Sequence, residues 1–168
     1  METTTTKRNN NKSVNTKSLN TKKTKEIAEK LNILLSDYSI FFQNVRGYHW
    51  NIRGQNFFEL HVKFEQLYTN LQAKTDEIAE RILSLGHLPE HNFSAYKKNT
   101  VIAESTTVTN GIKAVEDIHR SLELLIASQR EIHKLCNENQ DAGTACMMGN
   151  YIQEQEKMAW MYAAFLSK

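Results

Sequence analysis

The apolar residues of this chain recur at steps of three and four residues through four long segments, and the whole sequence contains one proline, Pro89, and six glycines. That period places apolar side chains on one face of an α-helix, and proline is the residue that most disrupts a helix interior. Strand-like alternation is scarce. The pattern therefore predicts an all-α fold, and 168 residues suffice for one domain with a buried core.

Glycines and polar residues between these segments predict where the helices begin and end. Four long helices are expected over roughly 24–52, 56–85, 108–137 and 144–166. Gly54 and Gly86 suit the left-handed position that follows a helix, and Asn56 suits the N-cap that precedes the next one. The last helix is expected to start near Asp141 or Thr144.

A long connector separates the second and third predicted helices. It is too long for a tight turn, and a short helical turn near Phe93–Lys97 is expected within it. A crossover of this kind lets the third helix run parallel to the second. Four long helices with one long central crossover predict a ferritin-like four-helix bundle.

The first 24 residues are predicted to form a disordered N-terminal arm, which leaves 25–168 as the bundle domain. The arm is rich in Thr, Asn, Ser and Lys and cannot bury enough apolar surface to offset the entropy lost on ordering. Residues 1–26 hold seven basic and two acidic residues, a net charge of +5, whereas the other 142 residues hold 14 basic and 17 acidic ones. The basic residues are Lys7, Arg8, Lys12, Lys17, Lys22, Lys23 and Lys25.

Hydropathy and cysteine content predict a cytoplasmic protein. No apolar run approaches ~18 residues, so no membrane span is expected. No apolar segment of the signal-peptide type follows the first residue. Cys136 and Cys146 are the only cysteines, and they are interpreted as reduced thiols rather than as a disulfide framework.

Two polar pairs on the second predicted helix suggest a metal site. His61 and Glu65 are four residues apart, as are Asp76 and Glu80, so each pair shares a helix face. Eleven residues separate Glu65 from Asp76, which corresponds to a rotation of only ~20° and a distance of ~16 Å along the axis. The pairs therefore lie on one stripe, but one helix cannot bring both of them to a single metal centre.

The four positions are also symmetric along the helix. The midpoint of positions 61 and 80 is 70.5, and so is the midpoint of positions 65 and 76. A second copy laid antiparallel across a two-fold axis at that point would place His61 opposite the partner's Glu80, and Glu65 opposite the partner's Asp76. This arrangement predicts two identical sites at a homodimer interface. Imidazoles with carboxylates suit Fe(II), Mn(II) or Zn(II), and a carboxylate-bridged di-iron site is the natural interpretation.

Simpler alternatives remain for these residues. The two pairs also fit a solvated helix face with ordinary charges. His49, near the end of the first helix, is a candidate further ligand, but it continues an apolar stripe and fits a core histidine. Trp50 and Tyr48 flank it and are candidates to absorb stray oxidising equivalents, with packing as the simpler role.

The segment "YHWNIRGQNFFELH", followed by "DEIAERI", resembles the Dps family of mini-ferritins. The resemblance covers about 25–168. It implies a dodecameric shell that acts as a ferroxidase, oxidising Fe(II) preferentially with hydrogen peroxide and storing ferric mineral. It implies that iron is bound between two chains by the side chains of His49, His61, Glu65, Asp76 and Glu80, the last two from the partner subunit.

Two departures from the family pattern affect these expectations. Many members carry aspartate where this chain has Glu65, and the extra methylene bears on metal spacing. Many also carry a D-x-x-T-x-D element that lines a three-fold iron pore. Here the segment is "DAGTAC", which keeps Asp141 and Thr144 as candidate pore residues but places Cys146 at the second acid.

The lysine-rich arm suggests a second activity, because several family members hold DNA through such tails. Multiple arms on one shell would bind phosphates without sequence specificity, and the protein would then be nucleoid-associated. One alternative is a nucleoid-binding structural protein with weak or absent iron oxidation. Another is a monomeric four-helix interaction module without metal.

Other histidines are set aside as ligands. "EDIH", Glu116–His119, has the Glu-x-x-His form of larger ferritin-like di-iron proteins, but that design needs a second such motif and none occurs. His87 and His91 flank Pro89 in the connector without a matching carboxylate pattern.

Overall fold

A computed structural model describes residues 21–167. Within that range the chain forms five α-helices, and no strand occurs there. The helices are α1 (Thr21–Asn51), α2 (Phe57–Ser84), α3 (Phe93–Asn99), α4 (Gly111–Glu138) and α5 (Ala142–Leu166). The predicted bundle and the short helix of the crossover are confirmed. The predicted arm falls largely outside the described residues, and its last four residues, 21–24, belong to α1.

The long helices enclose one apolar core. Helix α1 packs against α2, α3 and α4, and α4 packs against α5. Large side chains with no more than 1% exposure occur on each of the first three long helices, among them Leu34, Phe41, Phe64, Ile78 and Leu122. Each such side chain contributes roughly 1.5–3 kcal/mol when it leaves water, so the core rather than helix propensity holds the bundle together.

Polar side chains of α1 hold the crossover in place along the helix. Each accepts a hydrogen bond from a backbone N–H group of the crossover. The pairs are Asn32 with Glu90 (2.7 Å), Asp37 with Val101 (2.7 Å) and Asn44 with Ser105 (2.9 Å). Burial raises the pKa of the Asp37 carboxyl group, and the hydrogen bond from Val101 opposes that shift. The crossover is thus bound along one side of α1, and another side of α1 packs on α2.

The helix ends agree with the sequence in part. Gly54 and Gly86 adopt positive φ angles of 92° and 83°, as predicted. Asn56 does occupy the N-cap position of α2, but its own φ is 68° and its side chain makes no cap bond, so the predicted side-chain cap is wrong. The third long helix starts three residues later than predicted because Asn110 caps it, its side chain accepting from the N–H of Lys113 at 3.0 Å.

Candidate metal centre

Two histidines from neighbouring helices are held together where α1 ends and α2 begins. Nδ1 of His49 lies 2.9 Å from the backbone oxygen of His61, and Nδ1 of His61 lies 2.9 Å from the backbone oxygen of His49. The two imidazoles stack with centroids 3.7 Å apart and planes 20° apart. His49 is 8% exposed and His61 is partly buried. The reciprocal bonds therefore fix both rings at one edge of the α1–α2 pair.

These bonds determine which ring nitrogen carries the proton. A carbonyl oxygen only accepts, so Nδ1 is the donor in both rings. In the neutral imidazoles Nε2 then keeps its lone pair, which is the form that ligates a metal. Metal-binding histidines commonly donate their other N–H to a backbone carbonyl, and this bond fixes ring orientation. This arrangement suits a pair of nitrogen ligands, and it equally satisfies a core histidine at position 49, so the ligand role stays a prediction.

Aromatic rings flank the histidine pair on both sides. The Phe57 ring stacks on His61 with centroids 5.1 Å apart and planes 27° apart. The Tyr68 ring meets His49 edge-on at 5.3 Å. Neither residue was predicted from the sequence to lie at the site. Their spacing held a signal, because Phe57 lies four residues before His61 and Tyr68 seven residues after it, which are helix-face steps.

The three carboxylates lie on the outer face of α2. Glu65, Asp76 and Glu80 are exposed in the single chain. Within residues 21–167 no three His, Cys, Asp or Glu side chains of one chain come together as a metal site. Glu65 is therefore not gathered with His49 and His61 into a three-ligand group within one chain, and a site shared with a partner subunit stays a prediction.

Two exposed apolar residues extend the symmetry of this face. Phe58 is 85% exposed and Leu83 is 53% exposed, and both project on the stripe that carries the carboxylates. Their midpoint is again position 70.5. The antiparallel copy inferred from the ligand spacing would place Phe58 against the partner's Leu83. One symmetry operation thus pairs both the polar and the apolar residues of the stripe.

A cluster of neutral polar side chains is buried inside the bundle. The Gln129 amide nitrogen donates to the Tyr38 hydroxyl at 2.9 Å and to the Gln155 side-chain oxygen at 2.9 Å. All three side chains are fully buried. These side chains differ from the Glu-x-x-His ligands that larger ferritin-like di-iron proteins place in the bundle core. The cluster itself therefore offers a metal ion no carboxylate or imidazole.

The predicted pore residue Asp141 is engaged within the chain. It is 3% exposed, it pairs with the Arg81 guanidinium at 2.6 Å, and it caps α5 by accepting from the N–H of Thr144 at 3.1 Å. Cys146, one turn further along, is exposed, whereas Cys136 is buried. Burial, followed by the nearby Asp141 charge, raises the pKa of the Cys136 thiol to about 12. A pore role for Asp141 stays a prediction that needs a trimeric assembly.

The other predicted residues are scattered. Trp50 is 58% exposed and its ring lies under the Arg46 guanidinium, whose central carbon is 4.7 Å from the ring centroid. The histidines that were set aside are His87, which lies 3.1 Å from Thr24, the exposed His91, and His119, which lies 3.8 Å from Glu123.

The predicted DNA contacts are described only at their end. Three of them, Lys22, Lys23 and Lys25, are exposed at the start of α1. The others, Lys7, Arg8, Lys12 and Lys17, lie outside the described residues.

No helix among residues 21–167 combines the length and apolar character that crossing a membrane requires.

Comparisons with known proteins agree with this fold. A ferritin-like domain family matches residues 28–168. A DNA protection during starvation protein from Porphyromonas gingivalis is 34% identical over 142 residues, covering 84% of this chain and 89% of that protein. The Dps crystal structure from Vibrio cholerae O1, described as a ferritin-like diiron-carboxylate protein, is 45% identical with a TM-score of 0.89, covering 95% of this chain and 100% of that one. Dps from Bacillus brevis is 30% identical with a TM-score of 0.84, covering 87% and 98%.

Proposed function

The chain belongs to the Dps family of ferritin-like proteins, and from that premise we propose that it oxidises Fe(II) with hydrogen peroxide at di-iron sites shared between two chains. His49, His61 and Glu65 of one chain and the partner's Asp76 and Glu80 bind the iron. The ferric product is stored in a dodecameric shell. Iron is thus the substrate and cargo of the protein, and Mn(II) or Zn(II) would compete for the same ligands.

One observation carries this proposal. The reciprocal hydrogen bonds of His49 and His61 present two Nε2 lone pairs at the rim of the stripe that holds the exposed carboxylates. A surface salt-bridge face would not require two imidazoles to be stacked and held in the same tautomer, one of them buried and the other partly buried. The two imidazoles would supply nitrogen ligands, and the antiparallel copy would supply the carboxylates of the partner's Asp76 and the partner's Glu80.

The chemistry follows from holding two metal ions together. Two Fe(II) ions supply one electron each to peroxide, so the O–O bond is cleaved without release of hydroxyl radical. Carboxylate oxygens favour Fe(III) over Fe(II), because the more highly charged ion gains more from anionic ligands. The hydrogen bonds of His49 and His61 keep both imidazoles oriented before a metal ion binds. Less conformational entropy is therefore lost on binding.

A cross-linking experiment tests the shared interface. In a background carrying Cys136→Ala and Cys146→Ser, the double variant Phe58→Cys with Leu83→Cys should be joined into covalent dimers by a short bis-maleimide. The two thiols of one helix are 25 residues apart, or roughly 37 Å, so a short linker can join them only between chains. Denaturing gels report the result.

The single variants provide the matched control. Phe58→Cys alone places its thiol about 37 Å along the axis from the same thiol of the partner, and so does Leu83→Cys alone. Neither should cross-link. Dimers from a single variant, or none from the double variant in an assembled protein, would exclude the antiparallel register.

We also propose that the arm binds DNA without sequence specificity. The exposed lysines at the start of α1 continue the basic character of the preceding residues, and phosphate contacts by lysine are sensitive to salt. The alternative function, a nucleoid-binding structural protein with weak or absent iron oxidation, shares this activity. It differs in predicting DNA compaction together with poor oxidation.

Deletion of residues 1–20 should abolish the DNA gel shift at low salt. The deletion removes Lys7, Arg8, Lys12 and Lys17 and leaves α1 intact, because the helix begins at Thr21. Fe(II) oxidation serves as the control and should be unchanged. A shift that survives the deletion would assign DNA binding to the remaining residues, which include Lys22, Lys23 and Lys25 at the start of α1.

A further inference from the structure

The imidazole of His61 lies between two other rings. His49 stacks on one of its faces, with centroids 3.7 Å apart and planes 20° apart. Since that face is occupied, the phenyl ring of Phe57, which also stacks on His61, covers the opposite face, with centroids 5.1 Å apart and planes 27° apart. Phe57, His61 and His49 thus form a stack of three rings with His61 in the middle.

The hydrogen bond of the His61 ring does not fix that ring by itself. The bond from Nδ1 to the backbone oxygen of His49, at 2.9 Å, sets where one nitrogen points. The ring can still tilt about the line that joins these two atoms, and a tilt moves Nε2, the atom proposed to bind iron. His61 is also only partly buried, whereas His49 is 8% exposed. A second constraint is therefore needed on the face that His49 does not cover, and Phe57 supplies it.

The backbone at the start of α2 brings the Phe57 ring to this place. Phe57 is the first residue of the helix and lies four residues before His61, so the two side chains share a helix face. Side chains of a helix lean towards its N-terminus, which brings the His61 ring up to the ring of Phe57. The N–H of Phe57 donates to the Gly54 oxygen at 3.2 Å, and the Phe58 ring meets the Phe57 ring edge-on at 5.4 Å. The backbone and a neighbouring ring both limit the movement of this phenyl group.

The phenyl group of Phe57 also leaves the lone pair of the His61 ring unoccupied. Phe57 has neither a hydrogen-bond donor nor an acceptor in its side chain. An amide or hydroxyl group at this position could donate to Nε2 of His61 and would compete there with a metal ion. The phenyl face contributes dispersion contacts instead, which orient the imidazole without engaging its nitrogen.

We propose that Phe57 is a positioning residue that holds Nε2 of His61 in the direction required for metal binding. This inference rests on the proposed ferroxidase function and gives Phe57 no chemical step. Without the phenyl ring, a metal ion would have to order the imidazole when it binds, and the entropy lost would appear as weaker binding. The bound ligand geometry would be the same, so the maximal oxidation rate should be retained.

Co(II) titrations of the full-length, assembled protein, followed by visible absorption, test this role. Phe57→Leu should weaken Co(II) binding about tenfold, which is the lower end of the effect of removing a contact that orients a metal ligand. Phe57→Tyr keeps an aromatic ring and should bind Co(II) as the wild type does. In Fe(II) oxidation with peroxide, Phe57→Leu should raise the half-saturating Fe(II) concentration by a similar factor and keep the maximal rate.

Phe64→Leu is the matched control for a merely structural role. Phe64 lies on the same helix, is fully buried and meets the Tyr48 ring edge-on at 6.3 Å. The same substitution at this position should lower the melting temperature more than Phe57→Leu does and leave Co(II) binding unchanged. Equal weakening of Co(II) binding in the two variants would assign the effect to lost packing and overturn the role of the stack.

NMR of the metal-free protein separates this inference from the function on which it rests. Magic-angle-spinning spectra of 15N-histidine protein, with His61 assigned by its loss in His61→Ala, should show one tautomer, with Nδ1 protonated, in the wild type. Phe57→Leu should show a mixture of both tautomers. Unchanged His61 signals or unchanged Co(II) binding in Phe57→Leu would overturn the role of Phe57 alone. Co(II) binding by the wild type no stronger than that of His61→Ala would overturn the metal site, and the ferroxidase function with it.

Discussion

Chains carrying His61→Ala and chains carrying Asp76→Ala should each lose most peroxide-driven Fe(II) oxidation, and a co-assembled mixture should regain about a quarter of the wild-type rate. Each substitution alone removes a ligand from both sites of its dimer, because the two sites are identical. In a mixed dimer one site combines an intact His61 with an intact Asp76 of the partner subunit, while the other site lacks both. Random mixing makes about half of the dimers mixed, so about a quarter of all sites are complete.

The chains are unfolded together and reassembled, and the oxidation rate is followed by Fe(III) absorbance. A parallel mixture of Glu116→Ala and His119→Ala chains is the control, since these residues form the Glu-x-x-His motif set aside as ligands. Each of these variants should keep the wild-type rate before and after mixing. Two inactive variants that recover nothing after confirmed mixing would place His61 and Asp76 in the same chain's site.

Arg81→Met should lower the free energy of unfolding by about 3 kcal/mol. Asp141 is 3% exposed and would lose the guanidinium that now lies 2.6 Å away. Breaking a buried ion pair from one side typically costs about 3–5 kcal/mol, and the 25% exposure of the Arg81 side chain places this case at the lower end. Methionine preserves much of the apolar volume, so the lost charge dominates the change.

Arg130→Met is the matched control for this measurement. Arg130 also bridges two helices, reaching Glu156 at 2.5 Å, but the two side chains are 63% and 46% exposed. Exposed pairs contribute roughly 0–1 kcal/mol. Urea titrations at one fixed chain concentration compare the two variants. Equal effects would mean that Asp141 gains little from Arg81 and is available for the pore that the family resemblance predicts.

The helices and their ends could largely be predicted because the information is local. Apolar residues at steps of three and four determine which faces are buried, and Gly54 and Gly86 indicate chain reversals whose backbone angles few other residues adopt. Asn56 shows the limit of this reasoning. It takes a left-handed conformation rather than the extended one that a side-chain cap needs, so it begins α2 only through its carbonyl oxygen, which accepts from the N–H of Leu60 at 2.9 Å.

The candidate site was predictable only as a set of positions. The symmetry of His61, Glu65, Asp76 and Glu80 can be read from spacing, and Phe58 with Leu83 extended it once their exposure was known. The bonds between His49 and His61 depend on how closely α1 and α2 approach, which no single-helix pattern contains.

The ion-pair partner of Asp141 within the chain could not be predicted from the sequence either. Arg81 lies 60 residues away along the chain. A motif therefore indicates an acid at this position but not whether another part of the fold already neutralises it.

The acceptors that orient the two imidazoles are main-chain oxygens. The orientation of each ring is set by the path of the backbone and not by the identity of the other residue's side chain. Replacing His61 by another residue leaves the carbonyl group that holds His49 in place, and the reverse is also true. A descendant sequence that exchanges one histidine keeps the other in position, so this half of the centre can evolve one ligand at a time.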